Sequence, residues 1–215
     1  MKKVFIFLTA ALVLAACNSK SSSNNNVESA SIDCSVFEFD NAQQRADTLL
    51  KYYDKEGLAA DESFFCAFPE TFSEMQKVFG FDAIEGAAPL YDYPIGKHII
   101  EHFANLNSID KEIYYNKYIN ICIDGVWEAD NIRVTFGFAD RLMNDTDAAC
   151  LALSKRTDKE VISVFHFIFD GPIPKNEFNE EVYNKLLPLL TEQDERLAAL
   201  LEDTYNRMIS EYVPG

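Results

Sequence analysis

The chain has 215 residues, of which 35 are Asp or Glu and 19 are Lys or Arg, so its formal net charge is −16 at pH 7. A field of that sign repels nucleic acid and anionic lipid surfaces, so no nucleic-acid partner is expected, and it would steer a basic protein partner toward the domain. Acidity that only keeps the domain soluble is the alternative. The length supports one sizeable hydrophobic core, and we expect a single domain.

The N-terminus indicates where the chain resides. Lys2 and Lys3 precede an apolar run from Val4 to Ala16 that only Thr9 interrupts. A basic start, a short apolar region and small residues before a cleavage point are typical of a secretory signal peptide. The 13 residues of the run are too few to form a membrane-spanning helix.

The run ends in Leu14-Ala15-Ala16-Cys17, which resembles the lipobox of bacterial lipoproteins. In that family the Cys thiol receives a diacylglyceryl group, the signal peptide is removed, and the new N-terminus is acylated, for example with palmitate. The resemblance implies that residues 1–16 are a signal peptide and that Cys17 attaches the chain to the lipid bilayer. Loss of Lys2 and Lys3 with this peptide leaves 17 basic against 35 acidic residues, a formal charge of −18.

Asn18 stands where an Asp retains enteric lipoproteins in the inner membrane. By that analogy we expect a place in the cell envelope at the outer membrane, facing the periplasm or the cell surface. Residues 17–33 are rich in Ser and Asn and have almost no large apolar side chains, so they predict a flexible spacer after the lipidated Cys. The α-helical globular domain is expected over residues 34–215.

Four cysteines remain in this domain: Cys34, Cys66, Cys122 and Cys150. Exported proteins fold in an oxidising compartment, where disulfides persist. Four cysteines allow about three pairings, and the sequence does not choose among them. Four buried thiols are an equal alternative, because free Cys packs as a small apolar residue.

Apolar residues recur at helical spacing through most of the domain. The first predicted helix begins at Asp40, which we expect to be its N-cap, and ends at Gly57. Two short helices follow between Asp61 and Gly80, and residues 81–93 predict an ordered loop.

For two later segments the sequence does not decide between a helix and a strand. Residues 119–123 alternate like a short strand, and the segment 157–171 fits a helix or a strand by periodicity alone. Thr157 and Glu160 form a capping-box signature, so a helix is predicted for the second segment. Further helices are predicted from Pro94, Ser108, Val126, Asp145 or Thr146, Glu180 and Thr191. The fold class is therefore an all-α array of about eight or nine helices with little or no strand.

The sharpest chemical motif is His98-Ile99-Ile100-Glu101-His102, which has the H-x-x-E-H form of the inverted zinc-protease signature. Histidines four residues apart share one helix face, and Glu101 lies beside them as a candidate base. That enzyme family builds its site in α/β domains, and both histidines lie on an apolar stripe where packing explains them. No catalytic residue and no cofactor are therefore expected, and zinc is the alternative, with a third ligand from Glu177, Glu180, Glu181 or His166.

The only Trp of the chain, Trp127, lies between a turn and a predicted helix and is flanked by Glu128 and Asp130. An exposed Trp among acidic residues suits an interface with a basic protein. The alternative is a buried Trp with the two acids favoured at the helix N-terminus. We name Trp127, Glu128 and Asp130 as candidate partner-binding residues.

Short aromatic motifs resemble a small group of bacterial envelope lipoproteins of unknown function. They are Phe68-Pro69 with Phe72, Phe79-Gly80-Phe81, Leu90-Tyr91 and Trp127-Glu128-Ala129-Asp130, within residues 60–175. This resemblance implies no activity and no site.

The leading hypothesis is a membrane-anchored, non-catalytic lipoprotein with an acidic protein-binding domain. In one version it is an immunity-type protein that captures a basic effector. A zinc-dependent hydrolase is one alternative. A lipid or small-ligand carrier is another, because 17 Phe and 10 Tyr can line a pocket, although they more often fill a core.

Overall fold

The structure, a computed structural model, describes residues 32–91, 94–126 and 136–212. These ranges contain ten α-helices and one hairpin of two-residue strands, so the all-α prediction is confirmed. No helix within them is both long enough and apolar enough to cross a membrane. The elements are α1 (Ala42–Tyr53), α2 (Leu58–Ala67), α3 (Phe72–Phe79), β1 (Phe81–Asp82), β2 (Gly86–Ala87), α4 (Pro94–Ala104), α5 (Lys111–Cys122), α6 (Phe138–Asn144), α7 (Thr146–Ser154), α8 (Asp158–Phe169), α9 (Glu177–Gln193) and α10 (Glu195–Glu211).

Capping side chains place the starts of two helices one or two residues after their predicted positions. Asn41 rather than Asp40 caps α1, because its Oδ1 accepts the N–H of Gln44 at 3.0 Å. Asp110 rather than Ser108 caps α5 in the same way. Both are short polar side chains that accept the free N–H groups of a first turn, so sequence alone did not separate the true cap from its polar neighbour.

Both ambiguous segments are helical. Helix α5 continues to Cys122, and the capping box of Thr157 and Glu160 opens α8 with both of its hydrogen bonds formed. The helix predicted over residues 126–143 is not continuous, because Gly137 adopts a left-handed conformation with φ of 68° and α6 begins only after it. Residues 127–135 of that prediction lie outside the described ranges.

The buried apolar side chains, from Ala46 in α1 to Met208 in α10, form one continuous cluster. The Phe103 ring lies near its centre and stacks on Phe68, with ring centroids 3.9 Å apart and planes 4° from parallel. Tyr118 meets the same ring edge-on at 5.1 Å. Within the described ranges eleven Phe and four Tyr side chains are buried, so these aromatic residues fill the core.

A buried lysine closes the C-terminus of α2. Lys117 Nζ donates to the carbonyl oxygens of Phe65 at 2.5 Å and Phe68 at 2.9 Å, and it pairs with the Glu70 carboxylate at 2.7 Å. Arg45 of α1 also donates to the Phe68 carbonyl, at 3.4 Å. Burial lowers the pKa of the Lys117 ammonium, and the Glu70 carboxylate opposes that shift. These contacts hold the corner between α2 and α3.

Two of the four cysteines of the domain form a disulfide, and the other two are buried thiols. A disulfide joins Cys34 to Cys66, which ties the segment before α1 to α2. Cys122 and Cys150 are buried free thiols. Burial raises the pKa of both, that of Cys150 to about 11, so neither is an activated nucleophile.

Candidate functional site

A groove lies between the start of α1, helix α3 and the β1–β2 hairpin. It encloses about 590 Å³, and its lining includes Ala42, Lys77, Gly80, Asp82 and Glu85. A smaller recess of about 190 Å³ continues it along the start of α1, sharing Ala42 and Lys77 with it. We call the two together the hairpin groove.

The turn out of α3 and the tip of the hairpin give the groove its shape. Helix α3 ends at Gly80, where a Cβ atom would lie 2.8 Å from the carbonyl oxygen of Gln76, so only glycine allows the chain to enter β1 here. At the tip, Asp82 Oδ1 accepts the N–H of Ile84 at 2.7 Å and of Glu85 at 2.8 Å. This Asx turn reverses the chain and projects the side chain of Ile84 outward.

Two large apolar side chains of the hairpin are exposed beside the groove. Ile84 at the tip is 95% exposed, and Phe81 is 55% exposed although its ring lies 5.5 Å from that of Tyr91. Burying both side chains would contribute about 25 cal/mol of favourable free energy for each Å² of apolar surface removed from water. A partner surface that covers these two side chains would therefore be bound more tightly.

The charges around the groove are mainly negative. Asp40 and Glu74 line the recess, and Asp82 and Glu85 line the hairpin side. The N–H groups of Glu85 and Ile84 hold the pKa of Asp82 below its usual value, so this carboxylate is ionised at neutral pH.

Two cations partly offset these carboxylates. Arg45 in the recess pairs with Glu74 at 3.2 Å, while Lys77 forms no ion pair within the described ranges. Four carboxylates against two cations leave the groove with a net negative charge. The arrangement suits a ligand with basic and apolar groups.

The two histidines of the H-x-x-E-H motif lie in different environments. His98 is 61% exposed, contrary to the prediction that it lies on an apolar stripe, and its Nδ1 lies 3.8 Å from a Glu101 carboxylate oxygen. His102 does pack as predicted, with its ring edge-on to Phe64 at 4.6 Å and to Tyr53 at 5.6 Å. Its Nε2 has no hydrogen-bond partner within the described ranges, and burial lowers its pKa.

No three His, Cys, Asp or Glu side chains within residues 32–91, 94–126 and 136–212 lie close enough together to hold a metal ion. The third ligands considered for zinc, which were His166 and the glutamates at the start of α9, therefore do not join His98 and His102 in such a group. The zinc site stays a prediction with no supporting geometry.

Other predicted site residues lie outside the described ranges. These are Cys17 and the candidate partner-binding residues Trp127, Glu128 and Asp130. The hairpin groove was not predicted from the sequence. A local signal was present, because Phe81 and Ile84 are large apolar residues in a turn-forming acidic segment, where nothing in the local pattern suggests burial.

The family model of the prokaryotic membrane lipoprotein lipid attachment site matches residues 1–18, which include Cys17. The chain carries the lipid attachment site of a bacterial lipoprotein. The lipoprotein is therefore lipid-anchored in the cell envelope. No curated protein and no solved structure matches it, so its resemblance to a group of envelope lipoproteins stays a prediction.

Proposed function

We propose that the lipoprotein is a non-catalytic binding protein that holds a basic protein partner at the outer membrane through the hairpin groove. One observation carries this proposal: Phe81 and Ile84 are exposed beside the carboxylates of Asp82 and Glu85. A net charge of −18 after loss of the signal peptide acts in the same direction over a longer range. An immunity-type role, in which the partner is a basic effector, is one form of this function.

The negative charges and the apolar side chains of the groove would act at different stages of binding. Negative charge steers a basic partner toward the domain and speeds association, an effect that falls as salt screens it over about 8 Å at physiological ionic strength. The apolar side chains of Phe81 and Ile84 would then be buried in the contact and slow dissociation. We therefore expect a complex that salt weakens and that still depends on the apolar residues.

The alternatives have no such supporting contacts. Of the aromatic residues that suggested a carrier, eleven Phe and four Tyr within the described ranges are buried in the core. The hairpin groove, of about 590 Å³, is open to solvent and lined by the charged Lys77, Asp82 and Glu85, which does not suit an apolar lipid. The apolar cavity beside Phe136 and Phe167 encloses only about 60 Å³. Ligand pockets typically have volumes of about 300 Å³ or more.

The test compares two triple variants as baits in envelope extract at about 50 mM salt, where surface charges are weakly screened. The groove variant is Asp82→Asn/Ile84→Ser/Glu85→Gln, in which Asn at position 82 retains the Asx turn. The matched control removes one exposed aliphatic residue and two exposed acids elsewhere. It is Leu151→Ser/Glu192→Gln/Glu195→Gln, in which Leu151 is 61% exposed.

We expect a protein that the wild type and the control capture, that the groove variant loses, and that is released at about 500 mM salt. Dissociation constants of that purified protein for the three baits then give the size of the loss. Capture that is equal for the groove variant and the control, or capture of nothing at low salt, would contradict the proposal.

A further inference from the structure

The lipid anchor joins the described domain at a defined place. Ile32 is the first described residue, and the disulfide of Cys34 with Cys66 fixes the chain there to α2. Sixteen residues, 18–33, separate this point from the lipidated Cys17. The predicted linker of that length has a root-mean-square span of roughly 22 Å. A compact domain of this size is about 40 Å across. The anchor pulls on the domain at this one point, so the side of the domain where the linker joins is the side that we expect to face the bilayer.

An aromatic and basic patch lies next to that joining point. The ring of Phe37 packs against Tyr52 of α1 with centroids 6.2 Å apart. Lys51 Nζ and Lys55 Nζ lie 5.0 Å and 5.1 Å from the centroid of the same Tyr52 ring. Val36, two residues after Cys34 in the chain, is 77% exposed. Tyrosine with flanking lysines and exposed aliphatic side chains is the composition that proteins place at the level of lipid headgroups.

The chain continues from the end of α1 into the start of α2. Leu58, the first residue of α2, is 57% exposed and follows Lys55 by three positions. We call Val36, Lys51, Tyr52, Lys55 and Leu58 together the anchor-side patch.

Two lysines of the patch have no acidic partner in the described part of the chain. Within the described ranges neither Lys51 nor Lys55 forms an ion pair, and with Asp54 and Glu56 nearby in the chain the local charge is close to zero. A chain of net charge −18 is repelled by anionic headgroups. An orientation that turns the two unpaired ammonium groups toward the bilayer offsets part of this repulsion.

We propose that the anchor-side patch rests on the headgroups of the membrane that holds the lipid anchor. The lysine ammonium groups lie among the lipid phosphates, and Val36 and Leu58 enter the interfacial layer. The hairpin itself lies beside the opposite end of α1, because ten residues separate Ala42 from Tyr52, or about 15 Å along the helix axis. The recess of the groove is closer to the patch, because Phe39, which lines it, has its ring 6.5 Å from that of Phe37.

The test measures the distance of labelled sites from the bilayer in the full lipidated protein. Leu58→Cys, Leu151→Cys and Ile84→Cys each place a fluorescent label at an exposed aliphatic position, and the unaltered protein, whose free thiols are buried, is the labelling blank. The proteins are inserted through their lipid anchor into phosphatidylcholine vesicles with one-fifth phosphatidylglycerol and headgroup nitroxide lipids. We expect quenching at position 58 to exceed quenching at positions 84 and 151 severalfold. Equal quenching at the three sites, or stronger quenching at 84 or 151, overturns the proposal.

A second pair of variants tests the lysines. Lys51→Gln/Lys55→Gln should reduce quenching at position 58, whereas Lys159→Gln/Lys175→Gln, which removes two exposed lysines elsewhere, should leave it unchanged.

Hydrogen exchange of the unlabelled protein gives a readout that needs no new cysteine. Amides of residues 35–38 and 51–58 should exchange more slowly on vesicles than in the unlipidated Cys17→Ser protein in solution. No slowing there, with or without slowing elsewhere, would contradict the proposal. Both measurements are made without a protein partner, so their failure leaves the partner hypothesis standing.

Discussion

Replacing Lys117 by Met tests whether a buried cation stabilises the corner beneath the hairpin groove. The side chain of Lys117 is only 4% exposed, and the substitution keeps most of its aliphatic length. It removes the hydrogen bonds to the carbonyl oxygens of Phe65 and Phe68. Hydrogen bonds from a charged donor contribute about 1.5–3 kcal/mol each. The cost of burying the ammonium, which lowers its pKa, offsets part of this gain. We expect the free energy of unfolding to fall by about 2 kcal/mol.

Lys111→Met is the matched control. Lys111 lies on the same helix and also makes an ion pair of 2.7 Å, with Asp145, but its side chain is 68% exposed. An exposed pair of this kind contributes about 0.5 kcal/mol, because water and salt screen it. The two variants therefore differ mainly in the burial of the amine that is removed.

Urea unfolding of the purified protein in a Cys17→Ser background measures both effects through the midpoint and slope of each transition. The reasoning requires a lower midpoint for Lys117→Met than for Lys111→Met, with similar slopes. A Lys117→Met protein as stable as the wild type would show that the desolvation of the ammonium outweighs its hydrogen bonds, and would refute the reasoning.

Two further predictions concern the disulfide and His102. Replacing Cys34 and Cys66 together by Ser should lower the free energy of unfolding by about 3.5 kcal/mol, since a bridge across 32 residues restricts the unfolded chain, and it should abolish the effect of reductant on the urea midpoint. Burial lowers the pKa of His102 and nearby Asp61 only partly opposes this, so the unfolded chain binds the proton more readily and stability should fall as the pH drops below about 6.5. His102→Gln should remove this fall between pH 7.5 and 5.5, and His98→Gln, which alters an exposed ring, should retain it; a slope that His102→Gln leaves unchanged would assign the dependence to other groups.

Much of the fold followed from local signals in the sequence. The capping box of Thr157 and Glu160 indicated the start of α8, and Gly80 indicated the end of α3, because both signals act within one helical turn. The helix face that is buried was harder to predict. The pattern placed His98 on the apolar stripe of α4, whereas the structure exposes His98 and buries Ile100, because neighbouring helices decide which side of an apolar helix is covered.

The groove and the buried cation had no local signature. The hairpin groove combines the start of α1 with residues 73–89, and their proximity results from packing between elements. Lys117 is enclosed because α5 crosses the C-terminus of α2, about 50 residues earlier in the chain, where free carbonyl oxygens need donors. The pairing of Cys34 with Cys66 likewise depends on tertiary distance, which the spacing of four cysteines does not encode.

The most direct test of the account is the mass of the mature N-terminus, determined on protein extracted from the cell envelope. We expect a chain that begins at Cys17 and carries a diacylglyceryl group on its thiol and an acyl group on its amine. The Cys17→Ser protein should retain residues 1–16 or lack lipid, and it should leave the membrane fraction after a high-salt wash. A mature chain that begins elsewhere, or a Cys17→Ser protein that stays anchored with normal mass, would contradict the lipid anchor on which the proposed function depends.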